Sequence, residues 1–194
     1  WSIDWFIKQP IVFNVDDFCI EHSRCTEDLY KLKMACPDFK ATLFTIPNKV
    51  NARLLEMVAD KRDWLELAVH GVNHDPLDEM NHIKAADLAK FLKGLDYSVY
   101  VRGFKPPGWY LNREVIKACN EAGLWVAMHK RDVGMAPECQ HGYYTVEERM
   151  PAWHGHTSDV CGNWIRKLLP TLLTQWKPSQ QFAFVGEAVL VDQK

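Results

Sequence analysis

Short apolar runs alternate along this chain with longer stretches in which apolar residues recur every three or four positions. IVFNV (11–15) is short, apolar and β-branched, which predicts a buried strand. Residues 26–35 then read as a helix, with Thr26 as its cap and Leu29, Leu32 and Met34 turned inward. ATLFTIP (41–47) is a second strand. Residues 49–60 have helical spacing at Val50, Leu54, Met57 and Val58. WLELAVH (64–70) is a third strand, followed by a helix over 82–95 with Ile83, Leu88, Phe91, Leu92 and Leu95 on one side. VRGFKPP (101–107) is a fourth strand, cut by two prolines. Asn112 caps a helix over 113–122 and Gly123 stops it. LWVAMH (124–129) is a fifth strand. Residues 130–150 show no period and read as irregular. PAWHGH (151–156) is a sixth strand, 159–175 a helix, and QFAFVGEAVLV (181–191) supplies one or two last strands.

Strand and helix alternating at this spacing mean βαβ units and a mostly parallel sheet. At least six such units predict an α/β barrel, or an incompletely closed one, rather than a three-layer sandwich. A length of 194 residues with 47% apolar content suits one domain over 1–194. In parallel α/β proteins the chemistry sits at the carboxyl ends of the strands.

Polar residues cluster at those ends. The first strand runs into Asp16 and Asp17, the third into HGVNH (70–74), the fourth into KPPGW (105–109) and the sixth into HGH (154–156). Adjacent carboxylates at the end of a buried strand repel each other and lose water, so something must neutralise them. His70 and His74, four apart with Gly71 to turn the chain and Pro76 to limit any helix, can converge on one metal. Two imidazoles and one carboxylate form a facial set with open positions. Zinc fits it best, with cobalt, nickel or iron as alternatives. A dication on Asp17 answers the charge problem, and Asp16 beside it stays ionised to take a proton from a water that the metal acidifies. Each motif alone is weak, but their joint placement at successive strand ends is specific. His22, His82 and His141 lack that placement; His129 ends a strand and is an outside candidate.

Charge and cysteine usage narrow the partners. Lys plus Arg number 23 against 25 for Asp plus Glu, a net charge of −2, which argues against a nucleic-acid binder driven by phosphate contacts. No apolar run has membrane-spanning length. No signal-peptide pattern opens the chain, although it begins at Trp1. The six cysteines (19, 25, 36, 119, 139, 161) form no CxxC pair. Cys19 and Cys25 lie close enough in sequence to bridge. The expectation is free thiols in a reducing compartment, which favours the cytoplasm.

The order DD, HxxxH, Pro-Pro turn and late strand ending in histidine resembles the polysaccharide deacetylase family, the NodB-homology group of metal-dependent carbohydrate esterases (family 4-like). The resemblance runs from about residue 11 to 156, on VDDF, HGVNH, KPPGW and AWHGH. It implies a distorted, incomplete (β/α) barrel that removes N- or O-acetyl groups from sugars of chitin, peptidoglycan or related polymers. It makes Asp16 the general base and Asp17, His70 and His74 the ligands of one divalent metal. Lys105 takes the place of an arginine that orients the base. His154 or His156 is the acid, His154 being preferred because it sits within the strand. A backbone N–H near Gly108 faces the oxyanion, and Trp109, Tyr110 and Trp153 are platforms for a sugar ring. The chain departs from the family at Phe18 (usually Gly), Gly71 (Ser or Thr), Lys105 (Arg) and Trp109 (Gly). The family's fourth motif has only Trp125 and Asp132 as remnants. This is the pattern of a divergent member. Two other functions share the features: a metal-dependent amidohydrolase on a non-sugar amide, and a degenerate domain that binds glycan without cleaving it. An iron-dependent oxygenase is disfavoured, because βα alternation is not its usual scaffold.

Overall fold

The apolar run IVFNV continues further than its hydrophobicity, as strand β1 at Ile11–Phe18, and so carries both aspartates on the sheet. The computed structural model describes residues 10–146, 152–159 and 164–190. Along them follow α1 (Cys25–Ala35), β2 (Ala41–Thr45), α2 (Ala52–Ala59), β3 (Leu65–His70), α3 (Ala85–Lys93) and β4 (Tyr100–Lys105). The chain continues through α4 (Arg113–Ala122), β5 (Trp125–His129), β6 (Tyr143–Val146), β7 (Ala152–His156), α5 (Ile165–Gln175) and β8 (Phe182–Ala183).

The strands run parallel in the order β6-β5-β4-β3-β2-β1-β7, and β8 pairs with β1. Among the described residues the end strands β6 and β7 do not pair, so the barrel is incomplete, as expected. Successive side chains on a strand point to opposite faces, and the two faces carry different populations. Phe13, Val15, Leu43, Leu67, Val69 and Phe104 join the core beneath the helices. Val12, Phe44, Ala68, Trp125 and Ala127 form the core of the concave face. Asn14, Asp16, Thr42, Glu66 and His70 share that concave face by the same period.

The differences from expectation have local causes. Helix α1 begins before Thr26, whose hydroxyl donates to the Ser23 carbonyl at 2.8 Å instead of capping. Helix α2 starts only at Ala52, because Asn51 Oδ1 accepts the Leu54 N–H at 2.9 Å. A 3-10 turn at Glu79–Asn81 delays α3 to Ala85. Helix α4 has the predicted cap, Asn112 accepting the Val115 N–H at 3.0 Å, and Gly123 ends it at φ 75°. The stretch read as irregular holds a 3-10 run, Lys130–Glu138, and the short strand β6. The last segment supplies one of the expected strands, β8, and past it the chain forms a 3-10 turn, Val185–Ala188. It crosses the concave face and exchanges two backbone hydrogen bonds between Leu190 and Tyr143, at 2.9 and 2.8 Å. Pro151, Cys161 and the side chain of Trp153 lie outside the described residues. Cys19, Cys25, Cys36 and Cys119 are free, so Cys19 and Cys25 are not bridged. Among the described residues, no helix is long and apolar enough to cross a membrane.

Candidate active site

Asp16 and Asp17 are neighbours in sequence and should face opposite sides of the sheet. The pairing of β1 with β2 shifts register between Val15 and Phe18, and Asp17 takes a left-handed φ of 65°. This bulge brings both carboxylates to the same end of the concave face.

Strand pairing delivers the rest. His70 lies opposite Lys105 in register, and His156 lies opposite Asp16. After His70 the chain turns at Gly71, at φ 65°, where a Cβ would come within 2.1 Å of Glu79 Oε1 and 2.5 Å of Pro107 Cγ. A serine or threonine does not fit there, which accounts for that departure from the family pattern. Buried Glu79 accepts the N–H of Val72 at 2.8 Å and of Asn73 at 3.0 Å, and so fixes the loop that carries His74. The Nε2 atoms of His70 and His74 stand 3.4 and 3.0 Å from Asp17 Oδ1. That oxygen is buried, and among the described residues it has no hydrogen-bond partner. His70 Nδ1 lies 3.0 Å from the Lys105 carbonyl oxygen and donates to it, which leaves Nε2 as the ring atom that faces Asp17. An unsatisfied buried carboxylate oxygen facing two imidazole nitrogens suits a cation between them, and all three ligand atoms lie within 4.8 Å of one another. Burial acts to raise the Asp17 pKa, but the two histidines hold it below the ordinary carboxylate range. His74 is affected conversely: burial lowers it, and Asp17 more than reverses this.

Asp16 is compensated differently. Lys105 Nζ lies 2.7 Å from each Asp16 oxygen. Burial pushes the carboxyl up, yet the Lys105 ammonium, helped by His154 and His70, brings its pKa down to about 2. The lysine is itself 1% exposed, with its ammonium 4.2 Å from the ring centre of Trp109 and 5.0 Å from that of Phe44. Asn14 completes the arrangement. Its Oδ1 is 2.9 Å from His154 Nδ1 and 3.4 Å from Lys105 Nζ. Sequence reasoning missed Asn14; the signal was a lone amide inside an apolar run, two residues from Asp16 and therefore on its face.

The two late histidines differ. His154 is buried, donates from Nδ1 to Asn14, and has Nε2 at 3.6 Å from Asp16 Oδ2. Burial, reinforced by Lys105, lowers its pKa to about 3. His156 is half-buried at the strand end, 4.7 Å ring to ring from His154, and its Nδ1 has no hydrogen-bond partner among the described residues. Burial lowers its pKa too.

In KPPGW, Gly108 and Trp109 both take left-handed φ, 57° and 62°. The N–H groups of Trp109 and Tyr110 close the turn onto Pro106 and Pro107 carbonyls, and the Gly108 N–H is engaged in neither bond. The Trp109 ring stands 5.7 Å from His154 and 5.4 Å from His129. Tyr110 is 39% exposed and folds over Gly108 beside exposed Leu77. His129 accepts the Arg131 N–H at Nδ1, so it buttresses Trp109 from the side. Trp125 packs edge-on to Phe44 and fills the space over Gly103, and Asp132 faces Arg131 at 3.7 Å; the two residues take these structural positions.

No protein-family model matches the sequence, and no curated protein is similar to it in sequence. Solved structures are similar in fold. One is the Xyl-CE4 domain of a multidomain xylanase from the hindgut metagenome of Trinervitermes trinervoides, with a TM-score of 0.56 at 17% identity over 91% of this chain and 87% of that one. Another is a family 4 carbohydrate esterase from Streptomyces lividans in complex with acetate, with a TM-score of 0.57 at 15% identity over 85% and 86%. A CE4 family pseudoenzyme from Bacillus anthracis gives 0.60 at 17% identity, covering 93% of this chain and 65% of that protein. The chain therefore carries, in divergent form, the fold of the CE4 polysaccharide deacetylases.

Proposed function

We propose that this protein is a metal-dependent hydrolase that removes acetyl groups from N-acetylated, or O-acetylated, sugars. The observation that carries the reading is the pairing of an open Asp17–His70–His74 set with an ionised, unligated Asp16 beside it. A divalent cation, zinc first and cobalt, nickel or iron(II) after it, would be held by those three residues and would supply an acidified water and a Lewis acid for the acetyl carbonyl. Asp16 takes the proton from the attacking water. The low pKa of Asp16 means that it keeps this proton only transiently. His156 is the better donor to the leaving amine, because His154 turns its Nδ1–H to Asn14 while His156 has a ring nitrogen without a partner. This reverses the preference read from strand position. The Gly108 N–H, which closes neither turn bond, would serve the developing oxyanion. Trp109 flanks the cluster and Tyr110 presents an exposed ring to a sugar.

The test is acetate release from chitooligosaccharides by the zinc-loaded protein. Asp16→Asn should lower turnover roughly 10²–10⁴-fold, the scale of a lost general base, with metal content unchanged. Turnover that survives the substitution removes Asp16 as the base. A second reading, a domain that binds glycan without cleaving it, has its own support: Lys105 clamps both Asp16 oxygens and weakens it as a base. It predicts glycan binding and no acetate release with any metal. Activity on a panel of small amides, in place of chitooligosaccharides, would instead favour a non-sugar amidohydrolase.

A further inference from the structure

Two Asp-His-His sets lie back to back at the sheet end, built on the adjacent residues Asp17 and Asp16. One is Asp17–His70–His74; the other is Asp16–His154–His156, whose ligand atoms also lie within 4.8 Å of one another. By donor chemistry each can take a divalent cation. Their surroundings differ in one respect. Among the described residues, Asp17 Oδ1 faces the Nε2 atoms of His70 and His74 and no ammonium. The two oxygens of Asp16 each have Lys105 Nζ at 2.7 Å, and the same ammonium lies 3.3 Å from His154 Nδ1. Asn14 Oδ1 and the rings of Trp109 and Phe44 hold it from the other sides.

We infer that Lys105 is an internal cation that fills the second Asp-His-His set and so limits the chain to one divalent metal. The inference rests on the proposed reading of the first set. A dication in the second set would meet the ammonium at contact distance and would occupy the lone pairs that a base needs. Lys105 is fully buried, so solvent cannot relieve that repulsion. A lysine suits this task better than an arginine, since its ammonium is a compact point charge with three donors. Here those donors can serve Asp16, through either oxygen, and Asn14. Lys105 is thus a positioning residue, acting through Asp16.

The experiment counts zinc ions on the whole protein by native mass spectrometry after loading with excess Zn²⁺ and removing weakly held metal. Wild type should retain one. Lys105→Met, which keeps the stem between the two rings but removes the charge, should retain two, and Lys105→Met/His156→Ala should return to one. Lys105→Arg, which restores a cation, should retain one. Two ions on wild type, or one on Lys105→Met, overturns the inference. If Lys105→Met does not fold, Lys105→Gln, with its polar head, takes the same test with the same expected counts. Wild type that retains no zinc defeats the first metal site instead, and with it the proposed function, so the two failures are distinct.

Discussion

Asp16 and Glu66 lie on the same concave face of one sheet, at opposite ends, and their pKa values move in opposite directions. Burial acts to raise both. At the carboxyl end, Asp16 has an ammonium 2.7 Å from each oxygen, and its pKa falls to about 2. At the other end, Glu66 has the Thr42 hydroxyl at 2.6 Å and the Gly186 N–H at 3.5 Å, and its pKa stays above the ordinary value. Neutral donors do not offset the loss of water, whereas a full charge does. The contrast separates the roles of the two ends. One end is organised to keep charge buried and ionised. The other is sealed by Ala183, Val185, Ala188 and Val189 of the C-terminal segment, packed against Val12, Phe44 and Trp125.

The contrast can be broken most severely at the loop that carries His74. His74→Ala should abolish acetate release and cost more metal affinity than the roughly 10–100-fold typical of outer-shell losses. Equilibrium dialysis with zinc measures it, and undiminished binding would remove the site from the comparison. Next in size is Lys105→Met, which leaves Asp16 buried without its counter-charge. Removing one partner of a buried pair costs about 3–5 kcal/mol. Urea unfolding of the metal-free protein should show that loss, and a change below about 1 kcal/mol would mean that Asp16 needs no ammonium. Glu79→Gln is smaller. It weakens the clamp on the Val72 and Asn73 N–H groups without adding bulk at Gly71. Zinc affinity should fall roughly 10–100-fold while urea stability changes by no more than about 1–3 kcal/mol. Unaltered affinity would show that His74 is positioned by something else.

The carboxyl end was the more legible of the two in the sequence, for a physical reason. Charged residues at strand ends stand out against apolar runs, so Asp16, Asp17, His70, His74, Lys105 and the two late histidines were visible as a set. The strands themselves were legible because burial on both faces enforces continuous apolar runs. What escaped notice depends on tertiary contact. Asn14 looks like a polar interruption until His154, distant in sequence, is placed beside it in register. Glu79 carries no sequence pattern that singles it out, and its role emerges only where the loop after Gly71 folds over it. Strand β6 is four residues long and follows a 3-10 run, too short for a period to emerge. The apolar run after Gln181 does supply a strand, β8, but only two residues of it pair, and Val185, Ala188 and Val189 pack against the concave-face core instead. Strand position alone places His154 and His156 on one face, and only the side-chain hydrogen bond of His154 to Asn14 tells their surroundings apart.

The smallest expected effect is the most direct comparison of the two ends. A carboxyl whose folded pKa is raised holds its proton more tightly in the folded state than in the unfolded one. Its favourable contribution is complete below the unfolded value, near 4.5 for Glu66, and is lost as pH rises through the folded value. Glu66→Gln keeps an oxygen for the Thr42 hydroxyl and removes the titration. Relative to wild type, the variant should therefore gain stability as pH rises from about 4.5 toward neutrality, by no more than about 1 kcal/mol, the scale of one neutral hydrogen bond. Taking the difference between the two proteins at each pH cancels the carboxylates and histidines of the distant site, which titrate alike in both. Urea midpoints across that range give the curve. A difference that is flat, or that turns against the variant, would mean that Glu66 is ionised and compensated, for which Lys40 is the nearby cation already acting on it. The two ends of the sheet would then treat buried charge alike, and the low pKa of Asp16 would no longer mark the end where the chemistry is done.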